Sequence, residues 1–284
     1  MGRLLGRIQN NLKNSCQTFF LFRIIETKNA KFPKGSTVFA QVGWRTKSIV
    51  DPAKLEKSND FYVLPDFGKE PSSLALGVLG MPGNTAYFGF LELCQPKAGE
   101  TVVVTGAAGA VGSLVGQIAK IKGCKVIGFA GSDDKCKWLE DELGFDKAIN
   151  YKVGDLSKLL KEAAPNGVDC YFDNVGGEIS ATILEQMKDF GRISVCGAIS
   201  AYNDQQIQVP APQVIINLKQ LEIRGFIVHR WVDRWMEGID QMLKWIQEGK
   251  IKYHETTTYG FEKTPNAFMK MLSGNNSGKA IVKV

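Results

Sequence analysis

Metal ligands are scarce in this sequence. Only two histidines, His229 and His254, occur in 284 residues, which leaves a catalytic zinc of the His/Cys type little to work with. The six cysteines, at positions 16, 94, 124, 136, 170 and 196, form no C-x-x-C pair, no zinc-like cluster and no small secreted framework. Reduced thiols in a cytoplasmic chain are therefore expected. Long apolar runs are missing too, and Phe19 to Phe22 falls far short of the ~20 residues that a transmembrane helix needs. The charge is not blocked: 35 basic against 29 acidic residues leave a net charge of +6, dispersed along the chain. With no basic block and no aromatic RNA-binding signature, this reads as a solvated surface rather than a nucleic-acid or membrane face.

What is present is a packed α/β core. A hydrophobic content of 44% supports one large domain or two ordinary ones. The organising stretch is Thr101 to Lys120, TVVVTGAAGAVGSLVGQIAK. Thr101 to Thr105 reads as a buried strand running into glycines at 106, 109 and 112. A helix follows, with Val111, Leu114, Val115, Ile118 and Ala119 on one face. Strand, glycine turn and helix together form the phosphate-binding start of a βαβ unit, where backbone N–H groups and the positive end of the helix meet a pyrophosphate. The competing reading is a plain tight turn.

Before this stretch, the first 25 residues carry Arg3, Arg7, Lys13 and Arg23 without an acid, a composition resembling a mitochondrial presequence. Ile24–Ile25 and Thr37–Val42 read as two strands joined by a turn, and Trp44–Ser48 as a third. Two helices are expected between Ser72 and Leu93, broken by Pro82 and Gly83. After it, strands at Lys125–Ala130, Lys147–Asn150, Val168–Asp173, Arg192–Cys196 and Leu221–Val228 alternate with helices at Asp134–Leu143, Leu156–Ala164, Glu178–Phe190 and Trp235–Glu248. This predicts a doubly wound parallel sheet with its ligand at the carboxyl ends of the strands. Short strands at Thr256–Tyr259 and Ala280–Val284, around a helix at Thr264–Leu272, are expected to pair back with the N-terminal β region.

Cofactor choice is read at the end of the second strand of the sheet, in Gly131-Ser132-Asp133-Asp134-Lys135. Lys135 suits a 2′-phosphate, while Asp133 and Asp134 serve as cap and first turn of the next helix, so the local chemistry favours NADPH. Asp173-Asn174-Val175-Gly176-Gly177 and Cys196-Gly197-Ala198-Ile199-Ser200 end two further strands. Asn174 offers hydrogen bonds to a ribose or amide there; ordinary strand-to-helix turns explain the same residues. Cys196 has no neighbouring base to make it a nucleophile. His229-Arg230-Trp231 reads as a surface cluster rather than a pocket lining. Trp231, Trp235, Met236, Met242 and Trp245 sit at helical spacing as core or interface.

The segments AAGAVGSLVGQIAK, GSDDK, NYK, YFDNVGG, FGRISVCGAIS, WIQEGKI and SGNNSGKAIVKV together resemble the zinc-free medium-chain dehydrogenase/reductases, from about Ile24 to Val284. The resemblance implies a Rossmann NADPH domain at 96–254, a partial GroES-like β domain at 24–95, a C-terminal return to that domain at 255–284, and a homodimer. It implies reduction by NADPH of the carbon–carbon double bond of α,β-unsaturated ketones and aldehydes, including 15-oxo-prostaglandins. Gly109, Ala110, Val111 and Gly112 would hold the pyrophosphate, and Lys135 with Tyr151 the 2′-phosphate. Asn174, the loop Cys196, Gly197, Ala198, Ile199, Ser200, Ala201 and Tyr202, the strand end Phe226, Ile227 and Val228, and Asn276 would surround the ribose and nicotinamide. Tyr202 matches the tyrosine that orients the ribose hydroxyl toward a developing enolate oxygen. The family's D-P-Y-M-type substrate loop has no counterpart, residues 1–23 are unmatched, and Val214 to Leu218 lacks a further substrate-side tyrosine. The expectation is an N-terminally truncated or altered member with impaired activity; the alternative is a catalytically silent NADPH-binding dimer partner.

Overall fold

The computed structural model describes residues 19–54, 61–201 and 211–284. The presequence-like calls on residues 1–18 and the tyrosine at 202 fall outside them. The chain forms two compact units, Met1–Leu76 and Gly77–Val284.

In the first unit, β1 (Phe20–Arg23), β2 (Thr37–Ala40) and β3 (Phe61–Val63) form an antiparallel sheet in that order. The apolar run Phe19–Phe22 is thus largely the first strand itself, in register Phe22↔Val38, rather than Ile24–Ile25. The strand lies there because alternate side chains on β1 and β2 find partners on both faces. Val38, Ala40 and Phe61 bury one face with Phe32. On the other, Phe39 stacks between Phe19, at 4.9 Å, and Tyr62, at 5.0 Å. Residues 44–48 form no strand; Gly43, at φ +76°, turns the chain just before them. A 3-10 turn at Ser72–Leu76 stands in place of the first expected helix.

The second unit opens with α1 (Met81–Leu91), where Pro82 and Gly83 start the helix rather than break one. Proline fits a first helical turn because the N–H it lacks would have no partner there. Then come β4 (Thr101–Val104), α2 (Gly112–Ile121), β5 (Lys125–Ala130), α3 (Asp133–Asp141), β6 (Lys147–Asn150), α4 (Leu156–Ala163), β7 (Val168–Asp173) and α5 (Gly177–Glu185). They are followed by β8 (Met187–Val195), α6 (Gln213–Leu218), β9 (Glu222–Gly225) and α7 (Trp235–Gln247). The six strands pair in parallel in the order β6-β5-β4-β7-β8-β9. All four residues of β4 are buried, as expected for a central strand covered on both faces. The order reverses between β4 and β7, and the crevice this opens at their carboxyl ends is where such a sheet binds its ligand. The helix read as reaching Phe190 ends at Glu185, and β8 begins at Met187. A register shift between Val168 and Cys170 and a left-handed Phe190, at φ +63°, mark that irregular start. The sixth strand is shorter than Leu221–Val228, and Val228–Arg234 turns as a 3-10 segment. Trp231 is buried there, stacked 5.4 Å from Phe88, so the surface reading fails for it. Trp235, Met242 and Trp245 are also core, while Met236 is exposed.

The chain ends with β10 (Glu255–Tyr259), α8 (Thr264–Leu272) and β11 (Lys279–Lys283). The two strands pair with each other, in parallel, Glu255 opposite Lys279. Among the described residues no helix is long and apolar enough to cross a membrane.

The buried Phe145 ring wedges between α2 and β5 at Gly116 and Gly128, and a Cβ at Gly116 would run into it. In an open helix Gly→Ala gains about 1 kcal/mol. Here overpacking against a ring with nowhere to move reverses the sign. Gly116→Ala should lower stability by about 1–2 kcal/mol, read from the urea midpoint; a gain would show that the ring yields.

Candidate functional site

The site is assembled around the carboxyl ends of β4 and β7. Asp173, the last residue of β7, is buried. Its Oδ1 accepts from Thr105 Oγ1 at 3.1 Å and from the Val175 and Gly176 N–H groups, both at 2.9 Å. Its Oδ2 accepts from Ser180 Oγ, whose hydroxyl also meets Tyr171 Oη at 2.7 Å. Four donors around one carboxylate satisfy a charge that would otherwise be costly to bury. The Tyr171 phenol, desolvated and beside Asp173, is held well above its ordinary pKa and stays neutral. Thr105 extends the link: its hydroxyl accepts from the Asn174 N–H at 3.0 Å, and its carbonyl from Asn174 Nδ2 at 2.7 Å.

These bonds hold the glycine turn in place. Gly106 sits at φ +58°, and a Cβ at Gly112 would run into its carbonyl oxygen, so the first turn of α2 closes tightly over the loop. No side chain caps α2, which leaves the positive end of the helix to a ligand. Gly109, Ala110, Val111 and Gly112 form this end. From the far side, Gly278 N–H donates to the Ala108 carbonyl at 2.8 Å, and Gly109 bridges Gly278. Asn276 Nδ2 bonds the Gly278 carbonyl at 3.0 Å, which sets Asn276 beside the glycine turn.

The loop Cys196–Ala201 is tied to the same hub. The Cys196 and Gly197 N–H groups donate to the Asp173 carbonyl at 2.8 and 3.1 Å. Ile199 N–H donates to Asn174 O at 3.3 Å, and Ser200 reaches Val175 O through both N–H and Oγ, at 3.1 and 2.6 Å. Ala198 packs on Gly176, at the position a Cβ would fill. Burial, reinforced by the charge of Asp173, pushes the Cys196 thiol up to about 12.

At the end of β5, Ser132 caps α3 by accepting the Lys135 N–H at 3.4 Å. Asp133 and Asp134 therefore fill the first turn rather than the cap position, and Asp133 Oδ1 accepts from Asn150 Nδ2 at 2.8 Å. Lys135 Nζ donates to the Gly274 carbonyl at 2.6 Å. Partial burial and the nearby Lys152 charge lower its pKa. The Tyr151 hydroxyl lies over Gly131, 2.8 Å from where a Cβ would stand. Lys135 and Tyr151, sixteen positions apart in sequence, thus flank one strand end.

Two expected contacts look different in three dimensions. One N–H of the Asn174 amide is committed to the Thr105 carbonyl, which leaves its second N–H and its Oδ1 to offer a ligand. Phe226 turns inward: its ring fills the space over Gly89 and meets Phe172 at 6.2 Å and Trp231 at 5.5 Å. Its neighbour Ile227 is exposed, and Val228 is buried. Thr105, Asp173 and Ser180 carried no assigned role in the sequence reading. The available signal was a polar residue closing each of two adjacent buried strands.

Among the described residues no three His, Cys, Asp or Glu side chains gather where they would hold a metal ion. The family model described as zinc-binding dehydrogenase matches residues 110–248. The chain is 56% identical over 265 residues to prostaglandin reductase 1 of Bos taurus, spanning 92% of this chain and 79% of that protein. It is 42% identical over 264 residues to the NADP(+)-dependent 2-alkenal reductase of Nicotiana tabacum, spanning 92% and 75%. The crystal structure of CurA in complex with NADPH from Vibrio vulnificus superposes with a TM-score of 0.83 at 38% identity, covering 94% of this chain and 79% of that one.

Removing the hub strands several donors at once. Asp173→Ala should cost about 2–4 kcal/mol and speed hydrogen exchange at the Val175 and Gly176 amides; unchanged exchange would show that these loops hold without it. For Cys196, a pKa of about 12 leaves roughly one thiolate in ten thousand at pH 8, against about one in four for an ordinary thiol. Iodoacetamide at pH 8 should spare Cys196 in the native protein and label it after unfolding, with labelling rising as pH climbs toward 12.

Proposed function

The chain belongs to the prostaglandin reductase family of the zinc-free medium-chain dehydrogenase/reductases, and on that premise we propose that it reduces the carbon–carbon double bond of α,β-unsaturated ketones and aldehydes with NADPH. The observation that carries this reading is a pair of anion seats at neighbouring strand ends. One is the uncapped α2 terminus behind the glycine turn. The other is Lys135 beside Tyr151 at Gly131. A pyrophosphate fits the first, and a 2′-phosphate the second. Lys135 makes no ion pair among the described residues, so an incoming phosphate has no carboxylate to displace.

When bound, NADPH supplies a hydride to the β-carbon of the substrate. The chain's own task is positioning and charge stabilisation. The hub at Asp173 holds the glycine turn, Asn174 and the loop from Cys196 in one arrangement, so ribose and nicotinamide are met by preorganised groups. Asn276 approaches from the other side. By its match to the family, Tyr202 orients the ribose hydroxyl that donates to the developing enolate oxygen. Neutral Cys196 contributes packing, not nucleophilic attack. The substrate is a small molecule; homodimerisation and a cytoplasmic location belong to the same proposal.

The purified chain, mixed with NADPH and either nonenal or a 15-oxo-prostaglandin, should consume the nicotinamide absorbance, and Lys135→Glu should weaken NADPH binding at least tenfold without a matching loss for NADH. Intact NADPH binding with no turnover at high protein concentration would favour a silent partner over an enzyme.

A further inference from the structure

The corner at Gly131 contains more positive charge than Lys135 alone. The β5–β6 register pairs Ala130 with Asn150, and Tyr151 N–H continues the ladder to the Ala130 carbonyl at 3.1 Å. That places Tyr151 and Lys152 beside Gly131 and Ser132. A short chain of bonds fixes the turn. Asn150 Oδ1 accepts the Lys152 N–H at 3.1 Å, Asn150 O accepts the Val153 N–H at 3.2 Å, and Asn150 Nδ2 donates to Asp133. The residue carrying Lys152 is therefore held rigidly at the strand end while its side chain stays exposed.

Lys135 and Lys152 lie close enough for the charge of one to disfavour that of the other, and neither is paired with a carboxylate among the described residues. Two unneutralised ammonium groups on neighbouring turns repel each other, and a bound anion relieves that repulsion. Lys135 also has one of its three donors committed to the Gly274 carbonyl. A phosphate monoester carries about −1.5 to −2 charges near pH 7, so a single ammonium with one donor already spent leaves it under-neutralised.

We propose that Lys152 is a second phosphate-binding cation, which together with Lys135 and the Tyr151 hydroxyl forms a two-ammonium seat that sets the preference for a 2′-phosphorylated dinucleotide. The proposal rests on the cofactor reading above and adds a residue to it. Lys152 acts by charge, from solvent, so its contribution is sensitive to salt. Lys135, anchored to Gly274, supplies the oriented hydrogen bond. In this division of labour Lys152 tunes affinity without touching the nicotinamide end.

The test is equilibrium binding, read by quenching of protein fluorescence, with NADPH, NADH and the fragment 2′,5′-ADP. Lys152→Gln should weaken NADPH and 2′,5′-ADP about tenfold and leave NADH within twofold. Lys152→Arg should retain the native ratio, and added salt should narrow the gap between native protein and Lys152→Gln. Equal losses for NADPH and NADH, or an unchanged NADPH-to-NADH ratio, would overturn the role of Lys152 while leaving Lys135 and the cofactor reading standing. If the native protein itself bound NADPH and NADH alike, the cofactor reading would fall and this proposal with it. Circular dichroism of each variant separates a binding loss from misfolding.

Discussion

The buried carboxylate of Asp173 is the constraint on which the crevice depends. A charge in the interior is tolerated only when its lone pairs are filled, and the donors that fill them come from three places: Thr105 at the end of β4, the turn at Val175 and Gly176, and Ser180 on α5. Filling them fixes where each of those segments stands. The strand-end carbonyl of the same residue then receives the Cys196 and Gly197 amides, so the side-chain and main-chain oxygens of one residue together organise the loops. The result is a set of flexible-looking glycine turns with little freedom.

The opposite ends of the same strands are stapled by a different device. Arg192 on β8 pairs with Glu100 at 2.5 Å, ahead of β4, and Lys188 pairs with Asp169 at 2.9 Å. Asp169 also accepts the Thr101 N–H at 2.8 Å. The Arg192–Glu100 pair is shielded from solvent on both sides, which makes it more than a surface ion pair. The central strands are thus held by charge where they begin and by the Asp173 network where they end, while the α2 terminus carries no side-chain cap.

Function follows from that contrast. Groups that the chain satisfies internally serve as scaffold: the Asp173 carboxylate, the Cys196 thiol and the Phe226 ring all belong here. The uncapped helix end and the lysine corner carry the proposed phosphate seats. Hydride chemistry of this type asks the protein for orientation and a donor at one oxygen, and a rigid crevice of small residues meets the first requirement.

The sequence by itself determined the strand–glycine–helix unit at Thr101–Lys120 and the alternation of strands and helices, because buried parallel strands and glycine turns are written in local composition and period. It misplaced the first strand, read Pro82 as a break, extended a helix to Phe190 and put Trp231 on the surface. The first strand and Trp231 depend on which distant partner a segment meets: Thr37–Ala40 for Phe20–Arg23, and Phe88 for Trp231. Only the tertiary structure decided that Asp173 is the hub, that Asn174 bonds back to Thr105, and that the Tyr151 hydroxyl lies over Gly131. Hydrogen bonds and charge act through space, and the distances that decide them are set when the sheet closes, not along the chain.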